Sequence, residues 1–166
     1  MTNLPQSMGL DLPGVYNMRD IGGYATKDGR LTRWRTLVRS DSLHRLSTES
    51  QQTLIDYGIR TVIDLRTTQE TLEEPNVFSG SSKVSYYHHD MVGDMTVVDV
   101  PEDLGWAERV AYSYCQLLDR RQAIIGVILA TLATPGVLPA IYHCVGGQDR
   151  TGIISALLLG IAGVAD

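Results

Sequence analysis

Short apolar runs rich in β-branched residues alternate along this chain with longer stretches whose apolar positions repeat every three to four residues. The run at residues 61–65 is mostly apolar, which is typical of a strand buried on both faces of a sheet. Similar short runs predict strands at residues 36–38, 83–88 and 140–143, the last of which opens directly after Pro139. Because strands alternate with helical patterns, the sequence predicts an α/β fold with a central, largely parallel sheet flanked by helices.

Three stretches have the apolar spacing of helices that pack on one face. The first opens at Ser47 or Thr48 and stops at Gly58, which stands where a C′ glycine ends a helix. Thr48 and Gln51 have the spacing of a capping box. Two further helices are predicted at residues 104–118 and 121–132.

The longest apolar run covers residues 152–165 and is interrupted only by Ser155. A membrane span needs about 20 apolar residues, so this run predicts a buried core helix. A helix that is apolar all round needs cover on every side, yet the chain stops at Asp166. We therefore expect an exposed apolar flank at this helix, with self-association as its consequence.

The remaining segments predict turns and loops. Residues 1–16 contain prolines and glycines and are interpreted as an extended lead-in, and Asp28-Gly29 predicts a tight turn. Residues 90–103 are acidic and irregular, which indicates a mobile loop. Since no repeat or interdomain linker is evident, residues 1–166 are interpreted as a single domain.

Composition narrows the function classes. The formal net charge of −5 argues against a non-specific nucleic-acid binder, which needs a basic surface. Cys115 and Cys144 are too few for a disulfide framework, and no basic segment precedes an apolar one at the N-terminus. These features predict a soluble cytoplasmic protein, and export without a signal peptide stays open.

One loop concentrates residues suited to chemistry on anions. It covers residues 143–152 and places Cys144 six positions before Arg150, with Gly146 and Gly147 between them. In a turn between a strand and a helix, backbone N–H groups and the helix N-terminus can surround an anion and favour a reactive thiolate. An arginine in the first turn of the helix can bind two phosphate oxygens. This pattern predicts phosphoryl transfer through a cysteinyl-phosphate, without metal or other cofactor.

The motif Cys-x5-Arg-Thr-Gly, preceded by His143, resembles the signature of cysteine-dependent tyrosine phosphatases. Three ordered blocks, at residues 17–23, 37–41 and 58–66, and Glu70 narrow the resemblance to the bacterial tyrosine/serine protein phosphatase family, which includes mycobacterial protein tyrosine phosphatase B. The resemblance covers about residues 14–164. It implies the cysteine-dependent phosphatase fold, with the phosphate-binding loop between a strand and a buried helix.

The resemblance also implies roles for single residues. Cys144 would be the nucleophile, Arg150 the phosphate clamp, and Asp149 the general acid or a brace for the arginine. Thr151 would hydrogen-bond the sulfur, His143 would help to hold the loop, and Asp64 would lie near the pocket. The predicted phosphate-binding residues are Val145, Gly146, Gly147, Gln148, Asp149, Arg150, Thr151, Arg19 and Arg39.

The identity of the acid and of the substrate stays open. Asp64, Asp90 and Asp94 are alternatives to Asp149 as the acid. Many family members have a lysine where this chain has Gln148, and its loss favours phosphotyrosine or phosphoserine over phosphoinositides, unless Arg19 or Arg39 compensates.

A phosphoinositide phosphatase is one alternative to a protein phosphatase, and two other function classes also stay open. They are a sulfur transferase and a weakly catalytic module that binds phosphorylated ligands. The run His88-His89-Asp90 contains metal-ligand types, but adjacent strand residues point to opposite faces, so we predict no metal site. Family members usually continue with further helices, so a C-terminally truncated form is one interpretation of this chain.

Overall fold

The computed structural model describes residues 10–95, 100–101 and 103–164. Its centre is a five-stranded sheet in the order β1-β2-β5-β3-β4. The strands are β1 (Arg19–Asp20), β2 (Leu37–Ser40), β3 (Thr61–Asp64), β4 (Ser85–His88) and β5 (Ala140–His143). Every neighbouring pair is parallel except β1 and β2, which confirms the predicted α/β fold with a largely parallel sheet.

The predicted strands lie close to the observed ones, and one strand was not predicted. The predicted strand at residues 140–143 has the observed bounds, whereas the one at 36–38 extends to Ser40 and the one at 83–88 begins at Ser85. Strand β1 has only two residues, both charged, so it carries no apolar pattern. It forms because Asp20 and Arg19 pair with Val38 and Arg39 of β2.

The described residues form five helices, which flank the sheet. They are α1 (Thr48–Tyr57), α2 (Thr68–Glu73), α3 (Trp106–Arg120), α4 (Gln122–Ala133) and α5 (Asp149–Ile161). Helix α1 ends as predicted, since Gly58 adopts a φ of 114° and donates its N–H to the carbonyl of Ile55. Helices α3 and α4 lie within two residues of their predicted positions.

Two features at helix N-termini differ from the prediction. The predicted capping box of Thr48 and Gln51 is wrong, because Ser47 caps α1 by accepting from the N–H of Ser50. A capping box is present instead at the unpredicted helix α2, where Thr67 and Glu70 satisfy each other's backbone N–H groups. Helix α2 buries no side chain, so its sequence has no apolar stripe.

The core lies on both faces of the sheet, because successive side chains of β5 point to opposite faces and pack in different clusters. Ile141 packs in a cluster with Leu54 of α1. Its neighbour Tyr142 packs in a second cluster with Ile128 of α4 and Ile154 of α5. Burial on both faces explains why β3 and β5 have no exposed residue.

Helix α5 is buried over its first half only, which corrects the prediction of a buried helix over residues 152–165. Its buried residues end at Ser155, and the helix itself ends at Ile161. Ile161 is 73% exposed and lies beside a groove to which Leu31, 62% exposed, also contributes. Residue 165 of the predicted helix lies outside the described residues. None of the helices among the described residues is long and apolar enough to cross a membrane.

The predicted lead-in and acidic loop are described in part. Residues 1–9 of the lead-in, and residues 96–99 and 102 of the loop, lie outside the described residues. The turn at Asp28-Gly29 is confirmed, since Gly29 has a φ of 80° and the N–H of Thr26 donates to the carbonyl of Arg30.

Candidate active site

The candidate loop, residues 144–148, connects the carboxyl end of β5 to the start of α5. Cys144 is buried directly after the strand, whereas Val145 and Gly146 are exposed. Gly147 is buried with a φ of 66°, a conformation that favours glycine. The thiol therefore lies at the base of the loop, and the loop turns back toward β2 before the helix begins.

The backbone carbonyls of the loop are held from its outer side. Nδ1 of His143 donates to the carbonyl of Cys144 at 3.1 Å, and the N–H of Ser42 donates to that of Val145 at 2.9 Å. Nδ2 of Asn17 donates to the carbonyls of Gly146 at 2.9 Å and of Gly147 at 3.1 Å. Nη2 of Arg39 also donates to the carbonyl of Gly147, at 2.7 Å.

This anchoring leaves the opposite side of the loop available to an anion. In a trans peptide the C=O and the next N–H point in opposite directions. Because the four carbonyls of residues 144–147 face donors outside the loop, the N–H groups of residues 145–148 face away from those donors. Among the described residues, none accepts a hydrogen bond from these four N–H groups. Such a set of N–H groups before a helix N-terminus is suited to bind an oxyanion.

Asn17 is itself fixed by charged neighbours. The carboxylate of Asp41 accepts from the backbone N–H groups of Tyr16 and Asn17, each at 3.1 Å. Nη1 of Arg19 donates to Oδ1 of Asn17, which turns Nδ2 toward the loop. Asn17 was noted in the sequence only as part of a family-like block. Its role could not be predicted, because Gly146 and Gly147, which it contacts, lie more than 120 residues later in the chain.

Arg19 and Arg39 lie side by side on the paired strands β1 and β2. Burial and then the nearby charge of Arg19 lower the pKa of Arg39. Their observed contacts are to Asn17 and to the carbonyl of Gly147, so both arginines support the loop from outside. A direct contact of either with substrate stays a prediction.

Arg150 is held by Glu70, a contact that sequence reasoning did not assign. Its guanidinium binds the carboxylate through two hydrogen bonds of 2.6 and 3.0 Å. Burial alone would lower the pKa of Arg150, but the bond to Glu70 and the neighbouring Cys144 raise it. Since the same carboxylate accepts from the N–H of Thr67 at 2.7 Å, the capping box of α2 fixes Arg150. The Thr-x-x-Glu spacing of Thr67 and Glu70 was the only sequence signal that could have predicted this capping box.

Asp64 is buried completely and is surrounded by donors. It accepts from Nη2 of Arg66 at 2.7 Å, the hydroxyl of Tyr86 at 3.0 Å and Nδ2 of Asn76 at 3.3 Å. Burial disfavours its charge, but the neighbouring His143 and Arg66 outweigh this effect and hold the pKa of Asp64 well below its usual range. Asp64 therefore joins β3 to the last residue of β5 beneath the loop.

Asp149 and Thr151 lie in the first turn of α5 with different surroundings. Asp149 is exposed, and Oδ1 of its carboxylate accepts from the hydroxyl of Tyr114 of α3. Thr151 is fully buried, and its Oγ1 has no hydrogen-bond partner among the described residues. The predicted hydrogen bond from Thr151 to the sulfur is therefore not formed in this structure.

A pocket of about 480 Å³ opens beside Asp149 and Arg150. Its wall on the α3 side includes apolar and aromatic residues, chiefly Trp106, Val110 and Leu117. The two charged residues that follow the loop, Asp149 and Arg150, thus lie next to an apolar surface.

The other two candidate acids lie elsewhere. Asp90 accepts from the N–H groups of Val92, Gly93 and Thr68 at 2.6 to 3.0 Å. Burial would raise the pKa of Asp90, but these three bonds outweigh it and lower the pKa. Asp94 has a fully exposed side chain, 3.7 Å from Nη1 of Arg121.

Two comparisons with known proteins decide the family. The model of the Tyrosine phosphatase family matches residues 10–166. The chain belongs to this family. It is 30% identical to a tyrosine-protein phosphatase of Nostoc commune, over 76% of this chain and 43% of that protein. It is 25% identical to the triple specificity protein phosphatase PtpB of Mycobacterium tuberculosis, over 93% of this chain and 64% of that protein. The chain spans about half the length of the curated relatives it matches.

Gly146 and Gly147 provide a matched test of the loop geometry in this member of the tyrosine phosphatase family. A Cβ on Gly147 would lie 2.6 Å from backbone atoms of Ser40 and Asp41, and the φ is strained for any other residue. A Cβ on Gly146 would meet nothing within 4 Å. We expect Gly147→Ala to lower the free energy of unfolding by roughly 1–3 kcal/mol and to weaken binding of inorganic phosphate.

Urea denaturation and calorimetric titration with inorganic phosphate measure both effects. Gly146→Ala is the control and is expected to change the free energy of unfolding by less than about 0.5 kcal/mol. Equal losses in the two variants would show that the loop does not close against β2.

Proposed function

We propose that this chain hydrolyses phosphate monoesters, phosphotyrosine in proteins above all, through a cysteinyl-phosphate. The observation that carries the proposal is the loop whose carbonyls are all held outside, with Cys144 at its base and Arg150 fixed beside it. Nucleophile, N–H groups and guanidinium together supply what phosphoryl transfer needs, so no metal or other cofactor enters the scheme.

The proposed reaction has two steps. The thiolate of Cys144 attacks phosphorus, an S–P bond forms, and the P–O bond to the leaving group breaks as that oxygen takes a proton. Water then attacks phosphorus and gives a proton to the carboxylate that lost one in the first step, while the P–S bond breaks, which releases phosphate and restores the thiolate. The N–H groups of residues 145–148 and Arg150 stabilise the charge on the equatorial oxygens in both steps.

Asp149 is the proposed acid. It is exposed in the first turn of α5, next to Arg150, and is free to face a bound ester. Asp64 is fully buried and its oxygens accept bonds from Arg66, Tyr86 and Asn76, which supports a role in positioning the loop. The carboxylate of Asp90 is occupied by backbone N–H groups.

The pocket beside the loop supports an aromatic phosphoester as the main substrate. Trp106, Val110 and Leu117 provide apolar surface next to Arg150, suited to contact a tyrosine ring. Gln148 adds no charge for a second phosphate. Phosphoserine and phosphothreonine remain further proposed substrates.

A phosphoinositide phosphatase is the second candidate, supported by the paired Arg19 and Arg39. Among the described residues neither arginine has an acidic partner within salt-bridge distance. Comparing kcat/KM for a phosphotyrosine peptide and a soluble phosphoinositide separates the two candidates.

Replacement of the nucleophile tests the mechanism. We expect Cys144→Ser to lower turnover of p-nitrophenyl phosphate at mildly acidic pH by about 10³-fold or more, while vanadate binding persists. Cys115→Ser, which changes an exposed thiol on α3, is the matched control and is expected to keep activity. The wild-type reaction is expected to be inhibited by vanadate and unaffected by EDTA.

Turnover that survives Cys144→Ser would contradict the mechanism. A wild-type protein that binds phosphate without turnover would indicate the binding module instead. Activity in a cyanide–thiosulfate assay would indicate sulfur transfer.

The two carboxylates of the site are expected to give different pH–rate profiles when they are changed. Asp149→Asn removes the proposed proton donor, so the alkaline decline of kcat/KM should disappear with little change in stability. Asp64→Asn leaves the buried Arg66 without its ionic partner, so the free energy of unfolding should fall by roughly 3–5 kcal/mol. If Asp64→Asn alone removes the alkaline decline, the assignment of the acid is wrong.

We also propose self-association through the exposed end of α5. Ile161 and Leu31 line a groove of about 520 Å³ together with Leu158 and Leu159. An apolar surface of this kind is suited to bind the same surface of a second copy.

Sedimentation velocity over a range of concentrations measures this association. We expect concentration-dependent association of the wild-type protein that Ile161→Gln weakens. Leu72→Gln, at a residue that is 71% exposed on α2, is the control and should leave it unchanged. A monomer at all concentrations would refute the proposal.

A further inference from the structure

The carboxyl of Asp149 has one hydrogen-bond partner among the side chains of the described residues, the hydroxyl of Tyr114. This donor comes from the middle of α3, 35 residues earlier in the chain. The adjacent Arg150 does not compete for Asp149, because Glu70 binds its guanidinium through both terminal nitrogens. Tyr114 is therefore the side chain that decides how an otherwise exposed carboxyl is oriented.

The hydroxyl of Tyr114 stays protonated and acts as a donor. The hydrogen bond to Asp149, followed by burial, raises the pKa of Tyr114 to about 12. The bond is made to Oδ1 of Asp149, so Oδ2 is the oxygen left for another partner.

This division of the two oxygens has a chemical consequence. A protonated carboxyl group has one O–H and one oxygen that serves mainly as an acceptor. If Tyr114 donates to Oδ1, the proton is carried on Oδ2, on the side not occupied by tyrosine. After the proton has moved to the leaving oxygen, the same hydroxyl stabilises the carboxylate that remains.

The position of Tyr114 fits this role. Tyr114 and Asp149 both line the pocket beside the loop, with Val110 and Leu117 one turn away on either side along α3. A substrate ring in that pocket would therefore have its ester oxygen near the carboxyl that Tyr114 orients.

We propose that Tyr114 is a positioning residue for catalysis, which holds Oδ1 of Asp149 so that Oδ2 delivers the proton to the leaving oxygen. The inference rests on the proposed function, because it needs Asp149 to be the acid. It adds that a residue of α3, outside the phosphate-binding loop, sets the efficiency of acid catalysis.

Dependence on the leaving group tests this role. The parameter kcat/KM reports the step in which the P–O bond breaks, and phenol needs a proton from the acid more than the more acidic p-nitrophenol does. Complete loss of general acid catalysis typically lowers the rate by about 10²–10⁴-fold. We expect Tyr114→Phe to lower kcat/KM about tenfold for phenyl phosphate and less than about twofold for p-nitrophenyl phosphate.

Two further variants make the test specific. Tyr112→Phe changes a partly buried tyrosine of the same helix and should leave both substrates unchanged. In an Asp149→Asn background, Tyr114→Phe should have no further effect, because residues that act as a unit are not additive. Thermal melting of each variant checks that folding is unchanged.

The outcomes separate this inference from the proposed function. An equal loss with both substrates, or an undiminished loss in the Asp149→Asn background, would overturn the role of Tyr114, as would no loss at all. If Asp149→Asn itself shows no preference for the better leaving group, the assignment of the acid fails, and Tyr114 has no catalytic partner. Activity of Cys144→Ser would instead overturn the mechanism as a whole.

Discussion

The structure of the site depends on a single requirement, namely that the carbonyl oxygens of residues 144–147 find donors on the outer side of the loop. All four carbonyls have donors, which come from three separate places. His143 ends β5, Ser42 and Arg39 belong to the region of β2, and Asn17 lies before β1. The sheet order β1-β2-β5 brings these segments together, so the topology of the sheet determines the shape of the proposed anion site.

A second set of contacts fixes the charged residues around that loop. Glu70 uses one carboxylate both to cap α2 and to bind Arg150, so the short helix positions the proposed phosphate clamp. Pairing with a carboxylate also keeps the half-buried guanidinium from being an unpaired charge. Arg39 has no such partner among the described residues; its Nη2 donates to the carbonyl of Gly147, whereas its buried Nε has no hydrogen-bond partner among those residues.

Sequence patterns predicted the elements that are buried and periodic, and they failed where the pattern is short or polar. Strand β5 was predicted with its observed bounds because Pro139 marks its start and the short, mostly apolar run Ala140–His143 follows. Strand β1 was missed because its two residues are charged and form a strand only by pairing with β2, and helix α2 was missed because it buries no side chain. Cys144 and Arg150 were proposed from local spacing, whereas Asn17, Glu70 and Tyr114 contact the loop or the first turn of α5 across 35 to 130 residues of chain.

Asp64 and Asp149 show why position in the fold, rather than residue type, decides the role of a carboxyl group. Around Asp64, buried donors hold the pKa well below its usual range, so the group stays charged and has no proton to give. Asp149 has solvent on one side, and its Oδ1 accepts a hydrogen bond from the hydroxyl of Tyr114. Because an acid must be protonated at the moment the leaving oxygen departs, the environment of Asp64 opposes this step. The buried Asp64 instead holds the end of β3 to the end of β5, from which the loop begins.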